Sequence, residues 1–260
     1  MIITARPSRL NNRYSLDACI QKFKAAGFDG IEFCFEDYYF HARPDYIEDF
    51  FISHTVEFCS MQGMQIASVG NHLDFVYDDP MYELIKKGIA KTRRYGTDVF
   101  ITASPDPHFK KITMRDEYWA EYTKRLGYLL DTAKDLGVRI AIEPEVNNLI
   151  TSTADFLNLV DYMGRDNLVC NLDVGHAFLT DPDMYDSIRK LGKLIAHSHV
   201  EGMARGEHIH LLPGEGDMDL RSIIGAMRDV GFDGALALDI YIHDYEEVMA
   251  DCVKTLKTMI

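Results

Sequence analysis

Apolar and polar positions along the chain repeat in one unit: a helical stretch closes on a glycine, and a short apolar run rich in Val and Ile follows. "KAAGFDGIEFCF" does this at Gly27, "CSMQGMQIASVG" at Gly63, "RRYGTDVFITAS" at Gly96 and "KDLGVRIAIEPE" at Gly137. "DYMGRDNLVCNLD" repeats it at Gly164, "RKLGKLIAHSHV" at Gly192 and "RDVGFDGALALDI" at Gly231. Glycine just past a helix takes the left-handed conformation at no steric cost. Apolar runs too short for helices and without alternation suit parallel strands buried on both faces. With "MIITA" at the start there are eight strands, each followed by a helix-like segment such as "SLDACIQKFKAAG" or "DYEEVMADCVKTLKTMI". Eight such units in 260 residues predict an α/β fold, a single (β/α)8 TIM barrel forming one domain over residues 1–260. A doubly wound open sheet is the weaker alternative, because no GxGxxG follows the first strand and no linker divides the chain.

The polar residues that end these runs are the candidate chemistry, since barrel enzymes work at the C-terminal ends of their strands. Strand three ends in Asn71-His72, strand five in Glu143, strand six in Asp173 with His176 just beyond, and strand eight in Asp239. Strand seven offers His197 and His199, which period-two geometry puts on one face; His199 lies nearer the rim and is favoured. A lone strand-end Asp is commonly a helix N-cap, and a lone His a hydrogen-bonded core residue. Caps do not explain Glu, Asp, His and Asp in register on four consecutive strands. A carboxylate ending a buried strand is costly unless paired, so Asp173 is expected to share a divalent metal with the others. Oxygen and imidazole ligands together suit Mn²⁺, Mg²⁺, Co²⁺ or Zn²⁺.

Composition narrows the partners. The net charge of −14 and the lack of a Lys/Arg run argue against a nucleic-acid partner. No apolar run has membrane-spanning length, so no membrane partner is expected. Five scattered cysteines without a CxxC, and an N-terminus unlike a signal peptide, point to a reduced, cytoplasmic compartment. The remaining partner is a small molecule; homo-oligomerisation is left open.

"AIEP", "LDVGH", "HSHVEGMAR", "LLPGEGDMDL" and "DGALALD" resemble the sugar-phosphate isomerase/epimerase superfamily of barrels. That superfamily includes ketose 3-epimerases, inosose isomerases and dehydratases and, more distantly, xylose isomerase and the endonuclease IV proteins. The resemblance spans nearly the whole chain and is tightest from Ile140 to Ile240. It implies one divalent metal, Mn²⁺ first, held by Glu143, Asp173, His199 and Asp239. It implies substrate contacts from His176 and Arg205, and proton transfer by Glu143 and Asp239 through a metal-stabilised enediolate of a sugar or keto-polyol. Arg6, Arg9 and Arg13 are candidate anion contacts if the substrate carries phosphate.

Three features depart from that pattern. Asp239 stands where the family usually has Glu, and is shorter by about 1.5 Å, which weakens it as a base. "EVNN" follows "EP" in place of Asn-Arg and a later Glu. His208 and His210 sit where endonuclease IV proteins have extra zinc ligands, and His72 matches one more. Isomerase or epimerase is therefore the leading expectation, with His72, His208 and His210 as substrate contacts. A metal-dependent phosphoester hydrolase of the endonuclease IV type is the second reading, and a dehydratase or lyase the third. A non-catalytic binding barrel is the least supported.

Overall fold

The computed structural model describes residues 1–104 and 115–260. Eight parallel strands form a closed barrel: β1 (Ile2–Ala5), β2 (Gly30–Cys34), β3 (Gln65–Asn71), β4 (Val99–Ala103), β5 (Arg139–Glu143), β6 (Leu168–Asp173), β7 (Ile195–Val200) and β10 (Ala235–Leu238). β10 pairs with both β7 and β1 and so closes the sheet. Outside it run α1 (Leu16–Ala26), α2 (Asp49–Met61), α3 (Asp79–Lys91), α4 (Arg115–Asp135), α5 (Thr153–Met163), α6 (Val174–Thr180), α7 (Met184–Leu191), α8 (Leu220–Asp229) and α9 (Tyr245–Lys257). The (β/α)8 expectation is met. All seven punctuating glycines have positive φ, from 49° at Gly192 to 94° at Gly27. An L-residue would be strained there, so these glycines fix where each helix stops and each strand begins. Among the described residues no helix is long and apolar enough to cross a membrane.

Strand side chains alternate between the two faces of the barrel. Outward residues such as Phe100, Ile140 and Ile142 join the main core beneath the helices. Inward residues Val99, Ile101, Ala141 and Val169 form a separate small plug. Towards the other end of the barrel the inward positions become polar: Glu32, Asn171, His197, His199 and Glu143 are all buried. The barrel is thus sealed by hydrocarbon at one end and filled with ionisable groups at the other. Register shifts at Ile31/Glu32 in β2 and at Cys170/Asn171 in β6 fall beside two of these groups; such bulges re-aim side chains.

One element departs from the sequence reading. The segment after β7, where the run of strands and helices predicts no element, holds an antiparallel hairpin of β8 (Gly202–Ala204) and β9 (Glu207–Leu211). Gly206, at φ 77°, makes the tight turn. His208 and His210 therefore stand on a strand.

Candidate active site

Strand register brings the predicted residues together. Asp173 lies opposite His199, and Ala103 opposite Glu143. The Nδ1 of His199 is 3.3 Å from Glu143 Oε1, 3.8 Å from Asp173 Oδ2 and 3.9 Å from Asp239 Oδ2. Four potential ligand atoms from four strands thus face one point. Two of them, His199 Nδ1 and Asp173 Oδ2, are buried without a hydrogen-bond partner. Buried polar atoms are normally satisfied, and a cation among these four would satisfy both. The residues therefore fit a divalent metal. Asp173 also does the ordinary work of its position: its Oδ1 accepts from the His176 backbone N–H at 2.8 Å and caps α6. Its two oxygens are divided between cap and cluster.

His197 and His199 take different places. His199 turns Nδ1 to the carboxylates and Nε2 to Glu32 Oε2 at 2.9 Å. His197 lies apart, its Nδ1–H donating to Asn171 Oδ1 at 2.9 Å. Asn171 in turn donates to Glu143 Oε2 at 3.0 Å, leaving Oε1 for the cluster. Burial lowers the affinity of His197 for a proton, to a pKa of about 4. For Glu143, burial opposes the charge, but the facing His199, His176 and His72 outweigh it and hold the carboxyl at about 2.

Asp239 is held from behind. Its Oδ1 receives Arg6 Nη1 at 2.6 Å and Arg9 Nη2 at 2.7 Å, and the Tyr241 hydroxyl donates to Oδ2 at 3.1 Å. Arg6 also reaches Glu32 Oε1 at 3.0 Å. Against the cost of burial, the two arginines keep the Asp239 carboxyl well below the usual range. The sequence reading offered Arg6 and Arg9 as anion contacts; the structure occupies both with Asp239, and pairs Arg13 with Asp244 at 2.9 Å.

Three histidines gather above the cluster. His176 Nδ1–H donates to the Pro144 carbonyl at 3.2 Å and His210 Nδ1–H to the Asp239 carbonyl at 2.8 Å. In the neutral form each then presents an Nε2 lone pair, and both point at His208 Nε2, at 2.9 and 3.3 Å. Burial lowers the pKa of all three, favouring that neutral form. His72 faces the cluster from β3, with Nδ1 2.7 Å from Glu36 Oε1 and Nε2 3.7 Å from Glu143 Oε2. Glu145 takes a hydrogen bond from Asn148 Nδ2 at 2.7 Å. Burial and the neighbouring Glu143 and Asp173 raise its carboxyl to about 8. These groups open into a cavity of about 600 Å³ at the barrel mouth.

The structure does not bring Arg205 to this cavity. Its guanidinium lies 4.7 Å over the Phe178 ring, in a separate cleft with Asp181, Asp183 and Asp219. The tight β8–β9 turn directs it away from the mouth. In the other direction, sequence reasoning passed over Glu32, Glu36, Asn171 and Glu201. Glu201 is fully buried, with Oε1 2.6 Å from the Gly175 N–H; burial, then Asp173 and Asp239, push its carboxyl far up. The signal was present: Glu32 interrupts the apolar run "GIEFC", and Glu201 follows "SHV". A charge in a buried run demands a partner wherever it falls, not only at the strand end.

Comparisons with known proteins agree with this architecture. D-psicose 3-epimerase of Agrobacterium fabrum is 28% identical over 127 residues, covering 48% of this chain and 42% of that one. Inosose isomerase of Bacillus licheniformis is 25% identical over 183 residues, 66% of this chain and 64% of that one. Alignment with the first of these relatives, as with the fructoselysine 3-epimerase of Escherichia coli O157:H7, spans half or less of the relative's length. Among solved structures, the probable 3-DHS dehydratase AsbF of Bacillus anthracis superposes with a TM-score of 0.82 at 18% identity, over 99% of both chains; at that identity the likeness is one of fold. A family profile described as xylose isomerase-like TIM barrel matches residues 20–259. Nearly the whole chain is covered by that match, and the chain belongs to the xylose isomerase-like TIM barrel family.

Proposed function

We propose that the chain is a divalent-metal-dependent isomerase or epimerase of a small sugar or keto-polyol, moving a proton beside a carbonyl. The observation that carries this reading is the convergence of Glu143, Asp173, His199 and Asp239 with two buried ligand atoms unsatisfied. A cation held there, Mn²⁺ first, would polarise a substrate carbonyl and acidify the neighbouring C–H. Glu143 is the proton carrier, because its carboxylate lines the cavity and Asn171 orients it. Asp239, clamped by Arg6 and Arg9, is a ligand through Oδ2 and a poor proton acceptor. His72, His176, His208 and His210 line the cavity as partners for substrate hydroxyls.

Asp173→Ala is expected to lose the tightly bound metal in elemental analysis, with the fold retained by circular dichroism. Losing the α6 cap costs about 1 kcal/mol as well. Asp173→Asn, which keeps an acceptor for the cap but not the charge, separates the two roles. Full metal occupancy in both variants would place the metal elsewhere.

One observation favours the second reading, a phosphoester hydrolase with clustered metals. The Nε2 atoms of His176, His208 and His210 converge as the ligands of another cation would. Two metals about 3.5–4 Å apart suit a phosphoester displacement, whereas one suits proton transfer. The acidic chain supports the single-metal reading. The double variant His208→Ala, His210→Ala is then expected to keep one metal per chain and lose substrate affinity. A crystal structure with two or three metals bound by these histidines would promote the hydrolase.

A further inference from the structure

The cavity has two chemistries. Its floor, with Arg6, His72, Glu143 and His176, is polar throughout. Its upper wall is hydrocarbon: Phe40, Leu73, Ile209, Tyr241 and Ile242, contributed by loops after β2, β3 and β10 and by the β8–β9 hairpin. Phe40 and Ile242 are 53% and 57% exposed, so this wall faces solvent.

The wall is held in place. Phe40 adopts φ 58°, an outlier for a bulky aromatic residue. Asp37 enforces the turn: its Oδ1 accepts from the Tyr39 and His41 N–H groups at 2.9 and 3.0 Å, and its carbonyl from Phe40 N–H at 2.9 Å. The Tyr241 ring is pinned between Arg9, 3.7 Å from its centroid, and the edge of His210 at 4.5 Å. Strained backbone and fixed rings spent on exposing hydrocarbon mark a binding surface, and this one continues down to the ionisable floor.

A free sugar can lay its C–H face on one ring, but its hydroxyls leave the outward side chains of Phe40 and Ile242 largely uncovered. We infer that the substrate carries an apolar substituent, aryl or alkyl, distal to its reacting carbonyl, and that Phe40, Ile209, Tyr241 and Ile242 receive it. This rests on the proton-transfer reading for the sugar end; the wall itself does not. The polar floor takes the keto-polyol end and the upper wall the substituent, so one cavity selects a substituted sugar over the free one.

The probes are D-fructose and 6-O-benzyl-D-fructose, which share the carbonyl and its two neighbouring carbons. Dissociation constants are measured by calorimetry on the Mn²⁺-loaded protein, and α-proton exchange by NMR in D₂O. The benzyl ether is expected to bind tighter by about tenfold or more, with its aryl protons receiving the strongest saturation transfer. In Phe40→Ala, Ile242→Ala the ratio between the sugars falls towards one; both residues are exposed, and circular dichroism checks the fold. Equal affinities in the wild-type protein, or a ratio untouched by the double variant, overturn the inference. So does loss of a dimer in the double variant with equal affinities, which assigns the wall to a second copy of the chain. Absence of exchange with both sugars, the affinity ratio intact, sinks the proton-transfer reading and leaves the substituent site standing.

Discussion

Glu143→Gln is expected to slow exchange of a ketose α-proton with solvent deuterium about 10²–10⁴-fold, the usual worth of a positioned base. The amide is nearly isosteric, so the side chain still fills its place beside His199 and Asn171. It offers a neutral oxygen to a cation and nothing to a proton. Metal binding is therefore weakened and proton transfer removed, and the two are read separately by calorimetry with Mn²⁺ and by NMR of D-fructose in D₂O at saturating Mn²⁺. Exchange at the wild-type rate would move the base to another group facing the cavity. Glu145 and His176, which also line the cavity, come next.

The second large effect is expected at a residue that touches no substrate. Glu32→Gln should weaken Mn²⁺ binding about 10–100-fold, the range for losing the carboxylate behind a metal-ligating histidine. Glu32 Oε2 fixes His199 Nε2–H, and with it the direction of the Nδ1 lone pair. Its Oε1 holds Arg6, which holds Asp239. One substitution thus loosens two of the four proposed ligands and leaves a buried guanidinium with half its charge compensation. Breaking a buried pair typically costs about 3–5 kcal/mol, so the melting temperature falls too. A variant that is destabilised yet binds Mn²⁺ with unchanged affinity would show Glu32 to be structural only.

The barrel was legible because glycine punctuates it. A helix that must stop in the left-handed conformation names its own end, and the apolar run after it has one way to be buried. The candidate ligands were legible because polar residues at four strand ends violate the apolar pattern together. What escaped was the partner each buried group meets, which depends on geometry. Glu32 sits mid-strand beside a register shift, and nothing in "GIEFC" says that its carboxylate meets a histidine 167 residues away. The hairpin escaped because "EHIHL" is too short and polar for its pairing to be read. Arg205 holds the place in "HSHVEGMAR" that the resemblance implies, but the turn at Gly206 sets where its side chain points, and position in the sequence carries no direction.

Arg6 and Arg9 reach Asp239 across the seam where β1 meets β10. The Arg9–Asp239 bond joins residues 230 positions apart, so it exists only once nearly all of the chain has folded. Until β10 docks, Arg6 has lost half of its charge partners and Asp239 is not in the cavity. Contacts of such high sequence separation form late, since the loop they close must be ordered first. A partly assembled barrel of seven strands therefore has three candidate ligands and an open wall, and lacks the fourth. On the proposed reading, competence to hold a metal would arrive in the same step as closure of the barrel, and the ion, once bound, would act as a latch on the two ends of the fold.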